Sequence, residues 1–278
     1  MKKISEYKSF GGRQLRYQHN SKSLNCEMTF SIYLPPQAEQ GSVPVIYWLS
    51  GLTCTDENFV TKAGAQQYAA QYGVAIVVPD TSPRGDGVAD DPDGAYDFGL
   101  GAGFYVNATE EPWARHYRMY DYVVDELPAL VNRELPVDGN RVGIMGHSMG
   151  GHGALTIALN NPNRYRSISA FSPICSPINC PWGQKALGNY LGSDQASWQR
   201  HDTVALVKQA TERLPILVDQ GTADNFLEEQ LKTPLLIEAS EQAGYPMETR
   251  MQPGYDHSYF FIASFIGEHI AFHSKYLA

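Results

Sequence analysis

Two nearly unbroken apolar runs, VPVIYWLSG (43–51) and VAIVVPD (74–80), set the strictest condition on this chain. A strand that is apolar on both faces must be covered on both, the situation of the central strands of a parallel sheet. Between the runs, TKAGAQQYAAQYG has the composition of a helix and ends at Gly73, a natural C-terminal stop. The alternation continues with a helix near Met119–Asn132, strand RVGIMG, helix HGALTIALNN closing before Pro162, and strands SISAFSP and PILVDQG. Helix LEEQLKTPLLIEASEQAG, strand METRMQPG and a last helix from Tyr259 complete it. Strands and helices in alternation predict an α/β fold, with a mostly parallel central sheet and helices on both faces. The start of the chain differs. In CEMTFSIYLPP, Met28, Phe30, Ile32 and Leu34 recur at every second position, which predicts an N-terminal antiparallel strand region. No repeat and no Pro/Gly/Ser linker divides the sequence, so residues 1–278 read as a single domain. Segments 82–113 and 173–214 are the longest irregular connections and are expected to roof or line a site at the carboxyl ends of the strands.

Bulk properties exclude several functions. A net charge of −9 argues against general nucleic-acid binding, which needs clustered Lys and Arg. It leaves room for an anionic small molecule. No run of 18 apolar residues is present, so no membrane span is expected. MKKISEYKSF lacks the apolar core of a secretory signal. Cys26, Cys54, Cys175 and Cys180 have neither disulfide-framework nor zinc-site spacing. Reduced thiols and a cytoplasmic location are the expectation.

Chemistry is suggested by GIMGHSMGGHG, residues 143–153, which packs five glycines around one serine. It contains Gly146-His147-Ser148-Met149-Gly150, a Gly-x-Ser-x-Gly pattern, and none of the phosphate-cradling glycine fingerprints. An apolar strand precedes it and a helix follows, the setting of a nucleophile elbow. The alternative is a glycine-rich helix start with Ser148 as N-cap. A neutral serine needs a base oriented by a third group. In this architecture the order is serine, acid, histidine. PILVDQGTADNF offers Asp219 and Asp224; the first sits at the strand end, and the second, in the loop, can bend back and is preferred. METRMQPGYDHSYFF offers His257, alone among eight histidines in following the last strand within a Gly-containing loop. His147, the serine's neighbour in a tight turn, is expected to point away from it, His152 lies too close after Ser148 to reach across, and His19, His116, His201, His269 and His273 are expected at the surface or in packing. Ser148 would attack, His257 take its proton and Asp224 orient the imidazole. The oxyanion would meet the amides of Met149 and of Leu52, the latter exposed by Gly51 in WLSGLTCT.

YWLSGLTCT, PDTSPRG, GAGFYVNATEEPW, YDYVVDELP, GHSMGGHGAL, FSPICSPINCPWGQKA, DQGTADNF and GYDHSYFFI together resemble the S-formylglutathione hydrolase (esterase D) family, over essentially the whole chain. The resemblance implies an α/β-hydrolase fold and a cytoplasmic, cofactor-free and metal-free serine hydrolase, often homodimeric. Its partner would be a small thioester, S-formylglutathione, cleaved to formate and glutathione, with side activity on short carboxylic esters. A general carboxylesterase or an acyltransferase is the alternative. The family's triad falls on Ser148, Asp224 and His257 and its oxyanion donors on Leu52 and Met149. Cys54 matches a family cysteine near the nucleophile, and Trp182 and Lys185 match residues on the substrate side. From the residues alone, Cys54 is a small buried loop residue, Trp182 a packed ring and Lys185 a solvated cation. The acidic stretch PRGDGVADDPDGAYDFG is expected mostly to coat the exterior.

Overall fold

The computed structural model describes residues 1–278. Nine strands form one sheet: β1 (Lys2–Ser9), β2 (Gly12–Ser21), β3 (Cys26–Leu34), β4 (Val43–Leu49), β5 (Ala75–Pro79), β6 (Val137–His147), β7 (Ser167–Phe171), β8 (Ile216–Gly221) and β9 (Met247–Gln252). Their spatial order is β1-β2-β3-β5-β4-β6-β7-β8-β9. The pairings β1–β2, β2–β3 and β3–β5 are antiparallel, and from β5 to β9 every pairing is parallel. This is the α/β-hydrolase fold with the expected antiparallel start. The chain steps from β4 to β5 on one side and then to β6 on the other. That reversal opens a crevice beyond the carboxyl ends of β4 and β6.

The apolar runs are explained by two layers of helix. Met28, Phe30, Ile32 and Leu34 are all buried, and so are all residues of β5, β7 and β8. On one face, helix Tyr259–Leu277 lays Phe261, Ile262, Ile266 and Ile270 beside Ile46, Trp48, Ile76, Val78 and Met145. On the other, helix Met149–Asn160 brings Ala154, Leu155, Ile157 and Ala158 into the core with Tyr47, Leu49, Val77 and Ile144. No helix is long and apolar enough to cross a membrane.

Three expected elements differ. The helix before Gly73 is two helices, Glu57–Lys62 and Ala65–Tyr72, broken where Gly64 takes φ 65°. The helix expected over 227–244 is a π turn, Leu227–Leu231, and a helix, Thr233–Gln242, separated by Lys232 at φ 59°. Segment 173–214 is largely helical, with Pro181–Leu191, Gln195–Trp198 and Thr203–Gln209. Its first helix carries the start signal that was passed over: Pro181 at the first position and Cys180 Sγ accepting from Gly183 N at 3.4 Å.

Most of the histidines expected at the surface or in packing are in packing. His116, His152, His201, His269 and His273 are buried. Burial pushes His152 down to about 4. Burial, helped by His152 and Arg200, takes His201 to about 3, and burial, helped by His269, takes His273 to about 3. Each is neutral when folded and binds a proton when unfolded below its ordinary value of 6.5. Each therefore contributes stability that is complete above that value and drains away as pH falls, at about 1.4 kcal/mol per pH unit. Urea unfolding at pH 7 and pH 5 is expected to show a loss of several kcal/mol at the lower pH. Replacing His273 with Gln should flatten the dependence.

Candidate active site

Strand β6 turns into helix Met149–Asn160 through a single residue. Ser148 has φ 58° and ψ −118°, a conformation that residues with side chains rarely hold. Sterics force it. A β-carbon on Gly146 would lie 2.2 Å from the Gly150 carbonyl oxygen, and one on Gly150 would lie 1.9 Å from that of Leu49. Only with glycine at both positions do β4, β6 and the helix meet at backbone distance. The turn is then pinned: Ser148 N donates to Phe171 O at 3.0 Å, and its carbonyl accepts from His152 N at 3.0 Å and Ile174 N at 3.2 Å. Ser148 is the residue before the helix, yet its side chain makes no capping bond. This removes the structural reason for a serine here.

Two amides stand free beside it. Met149 is the first helical residue, so its N–H has no intrahelical acceptor and lies at the positive end of the helix dipole. Leu52 N donates to nothing, whereas its neighbours are engaged: Thr53 N with Gly101 O at 2.9 Å and Cys54 N with Gly51 O at 3.4 Å. Gly51 presses against the elbow so closely that a β-carbon there would sit 3.2 Å from that of Ser148. The in-register pairing Leu49↔Gly146 produces this juxtaposition.

The residues expected as acid and base lie in the loops after β8 and β9, which are bonded to each other by Thr222 N→Gln252 O at 3.0 Å and Ala223 N→Tyr255 O at 2.9 Å. His257 Nδ1 donates to Asp224 Oδ2 at 2.6 Å. Phe226 N donates to the other oxygen at 2.9 Å. Burial works against the charge of Asp224, but the bond and charge of His257 and the Phe226 amide outweigh it and hold the carboxyl below its ordinary range. Asp219 is engaged elsewhere, accepting from Arg250 Nε at 2.7 Å, Gln252 Nε2 at 3.1 Å and His269 Nε2 at 3.0 Å. No hydrogen bond joins the Ser148 hydroxyl to His257 in this structure. Links of this kind commonly close only around substrate.

These features can be set beside known proteins. The family model described as "Putative esterase" matches residues 21–272. A protein of Rattus norvegicus named S-formylglutathione hydrolase is 54% identical over 279 residues, covering 100% of this chain and 99% of its own. The chain belongs to the S-formylglutathione hydrolase family of esterases. The solved structure of an S-formylglutathione hydrolase from Agrobacterium tumefaciens superposes with a TM-score of 0.98 at 46% identity, each chain covered fully. A fluorophosphonate-binding serine hydrolase of Staphylococcus aureus shares the fold, with a TM-score of 0.77 at 18% identity over 95% of this chain and 98% of that one.

The remaining sequence-selected residues differ in burial and in partners. Cys54 is half-buried, and burial, offset by Lys62 and Tyr259, raises its thiol above the ordinary value, so it is protonated at neutral pH. Trp182 is buried, with its ring 4.7 Å from Phe226, whose own ring lies 5.0 Å from that of His257. Phe226 thus links Trp182 to the imidazole; its place two residues after Asp224 was the available signal. His147 does not point clear of the site. Its ring lies 4.4 Å from that of His257, and burial, with that neighbour, holds it neutral, well below its ordinary value. Lys185 is neither free nor simply solvated: Nζ binds Asp97 at 2.8 Å and Asp91 at 3.5 Å. It straps the acidic segment to the helix that carries Trp182. Lys185→Met is expected to raise amide hydrogen exchange across residues 90–98 by about fivefold, the scale of an ion pair worth about 1 kcal/mol. Unchanged exchange would show that the strap bears no load.

Proposed function

We propose that this chain hydrolyses S-formylglutathione to formate and glutathione, and short carboxylic esters more slowly, by a serine mechanism in the cytoplasm. The observation that carries the reading is the Asp224–His257 pair, closed at 2.6 Å beside a serine held out on an elbow. The name of the rat relative, at 54% identity over the full chain, supports the substrate. The four cysteines are unpaired, in keeping with a reducing compartment.

Ser148 Oγ attacks the formyl carbon while His257 takes the hydroxyl proton, and Asp224 stabilises the imidazolium formed. The carbonyl oxygen becomes an oxyanion facing the Leu52 and Met149 amides, each worth about 3 kcal/mol to the transition state. The C–S bond breaks, the sulfur leaves with the electron pair, and His257 returns its proton. Water then attacks the formyl-serine and gives a proton to His257; the bond from the formyl carbon to Ser148 Oγ breaks, His257 returns the proton to that oxygen, and formate is released. A thiol with a pKa of about 8.5 leaves far more readily than an alcohol, so no metal is needed to activate it. Beyond His257, the rings of Phe226, Trp182 and Tyr96 follow one another in contact, with Tyr96 edge-on to Trp182 at 6.2 Å.

Ser148→Ala is expected to lower turnover of S-formylglutathione by about 10⁴-fold or more with an unchanged melting temperature. A variant that still turns over would refute the nucleophile. The formyl assignment predicts a kcat/KM for S-formylglutathione more than about tenfold above those for the S-acetyl and S-lactoyl thioesters, a discrimination of about 1.4 kcal/mol. Equal values would reduce the reading to a general esterase.

A further inference from the structure

Asp224 has a third donor that neither the sequence reading nor the elbow accounts for. Gln220, wholly buried on β8, donates from Nε2 to Asp224 Oδ2 at 3.3 Å and to Gly221 O at 3.0 Å. Its own carbonyl oxygen accepts from the Thr233 hydroxyl at 2.8 Å. The amide can sit only one way round. Turned over, Gln220 would aim its oxygen at a carboxylate and a carbonyl, two acceptors with no proton between them. Thr233, also wholly buried, is the first residue of helix Thr233–Gln242, directly after Lys232 in its left-handed conformation. Its hydroxyl therefore projects from a fixed helix start, not from a mobile loop.

We propose that Gln220, oriented by Thr233, is a positioning residue for the catalytic acid: it shares the oxygen of Asp224 that holds His257 and fixes the rotation of the carboxylate. The inference rests on the hydrolase reading above. A carboxylate held by His257 and the Phe226 amide, with the buried Ser172 hydroxyl beside it, keeps more freedom to swing about its Cβ–Cγ bond when the imidazole moves during proton transfer. The Gln220 amide resists this motion because it is anchored at both ends. It also withdraws electron density from the oxygen on which His257 leans. Removing it should leave substrate binding intact, slow the chemical step, and strengthen the hold of Asp224 on the imidazolium. The last effect has a definite sign: a better-stabilised imidazolium loses its proton at higher pH, so activity fails sooner on acidification.

The test uses the full chain, with p-nitrophenyl acetate and S-formylglutathione as substrates. Gln220→Met keeps the length and removes both donors. It is expected to lower kcat by about tenfold with little change in KM, the scale of a lost bond to a charged group. The acid limb of its kcat/KM profile should move up by about half a pH unit. Thr233→Val should shift both readouts the same way by a smaller amount, and Thr233→Ser should restore them. A merely structural role would lower the melting temperature and leave the acid limb in place; that result overturns the proposal, as does a parental kcat in folded Gln220→Met. If Gln220→Met does not fold, the Thr233 pair decides, and a parental kcat and acid limb in Thr233→Val overturn the proposal. Failure of the hydrolase reading looks different: the unaltered protein would turn over neither substrate, or Ser148→Ala would be fully active.

Discussion

The contact between the Leu49 carbonyl and the backbone of Gly150 is the constraint on which the site depends. It requires β4 and β6 to end side by side, and the register Leu49↔Gly146 provides this. The same level carries across the sheet through Ser148 N→Phe171 O and Ser172 N→Asp219 O. Each proposed functional group then lies a short step beyond a strand end: Ser148 after His147, Leu52 after Leu49, Asp224 after Gly221 and His257 after Gln252. Short steps leave little freedom in the chain, so the geometry is held by the sheet and the loops do not have to find it.

Serine, histidine and aspartate in a hydrogen-bonded line are not enough for catalysis, and the molecule contains its own control. Asp219 accepts from His269 Nε2 at 3.0 Å, and the other nitrogen of His269 meets Ser169 Oγ at 2.8 Å. All three are wholly buried on the side of the sheet packed by the last helix. There is no free helix amide there, no elbow and no path for a substrate. Burial opposes the charge of Asp219, but His269 and Arg250 outweigh it and take the carboxyl down to about 2. It acts as a structural anion joining β8 to β9 and the last helix. The difference between the two constellations lies in access and in the oxyanion donors, not in the residue types.

Those distinctions were partly legible in the sequence. The parallel sheet could be read because β5, β7 and β8 are covered on both faces and so had to be apolar throughout. The elbow at Ser148 could be read because its turn excludes side chains at two fixed positions. The pairing of His257 with Asp224 followed from order along the chain. The engagement of Asp219 was hidden, since its partners Arg250 and His269 lie on other elements and no local pattern marks them. The ion pairs of Lys185 were hidden for the same reason, its anions coming from a segment nearly ninety residues earlier. Helix Pro181–Leu191 was missed because Gly183 and Gly188 lower local helix propensity, while Trp182, Ala186, Leu187 and Tyr190 recover the loss by burial. The break at Lys232 was masked by good helix formers on both sides.

The order of burial along the proposed relay completes the physical argument. The Asp224 side chain is fully covered, whereas that of His257 remains 18% exposed. A covered carboxylate exerts its field on the imidazole undiluted by water, which is what an imidazolium intermediate requires. The base has the opposite requirement, since it must meet the water that releases the acyl group and pass a proton to the departing thiol. His147 fits between these demands. Held neutral, with its ring centroid 4.4 Å from that of His257 and tilted by 44°, it packs beside the base without placing a second positive charge next to the imidazolium. A protonated neighbour at that separation would make proton uptake from Ser148 harder, so the depth at which His147 is buried is itself a condition of the mechanism.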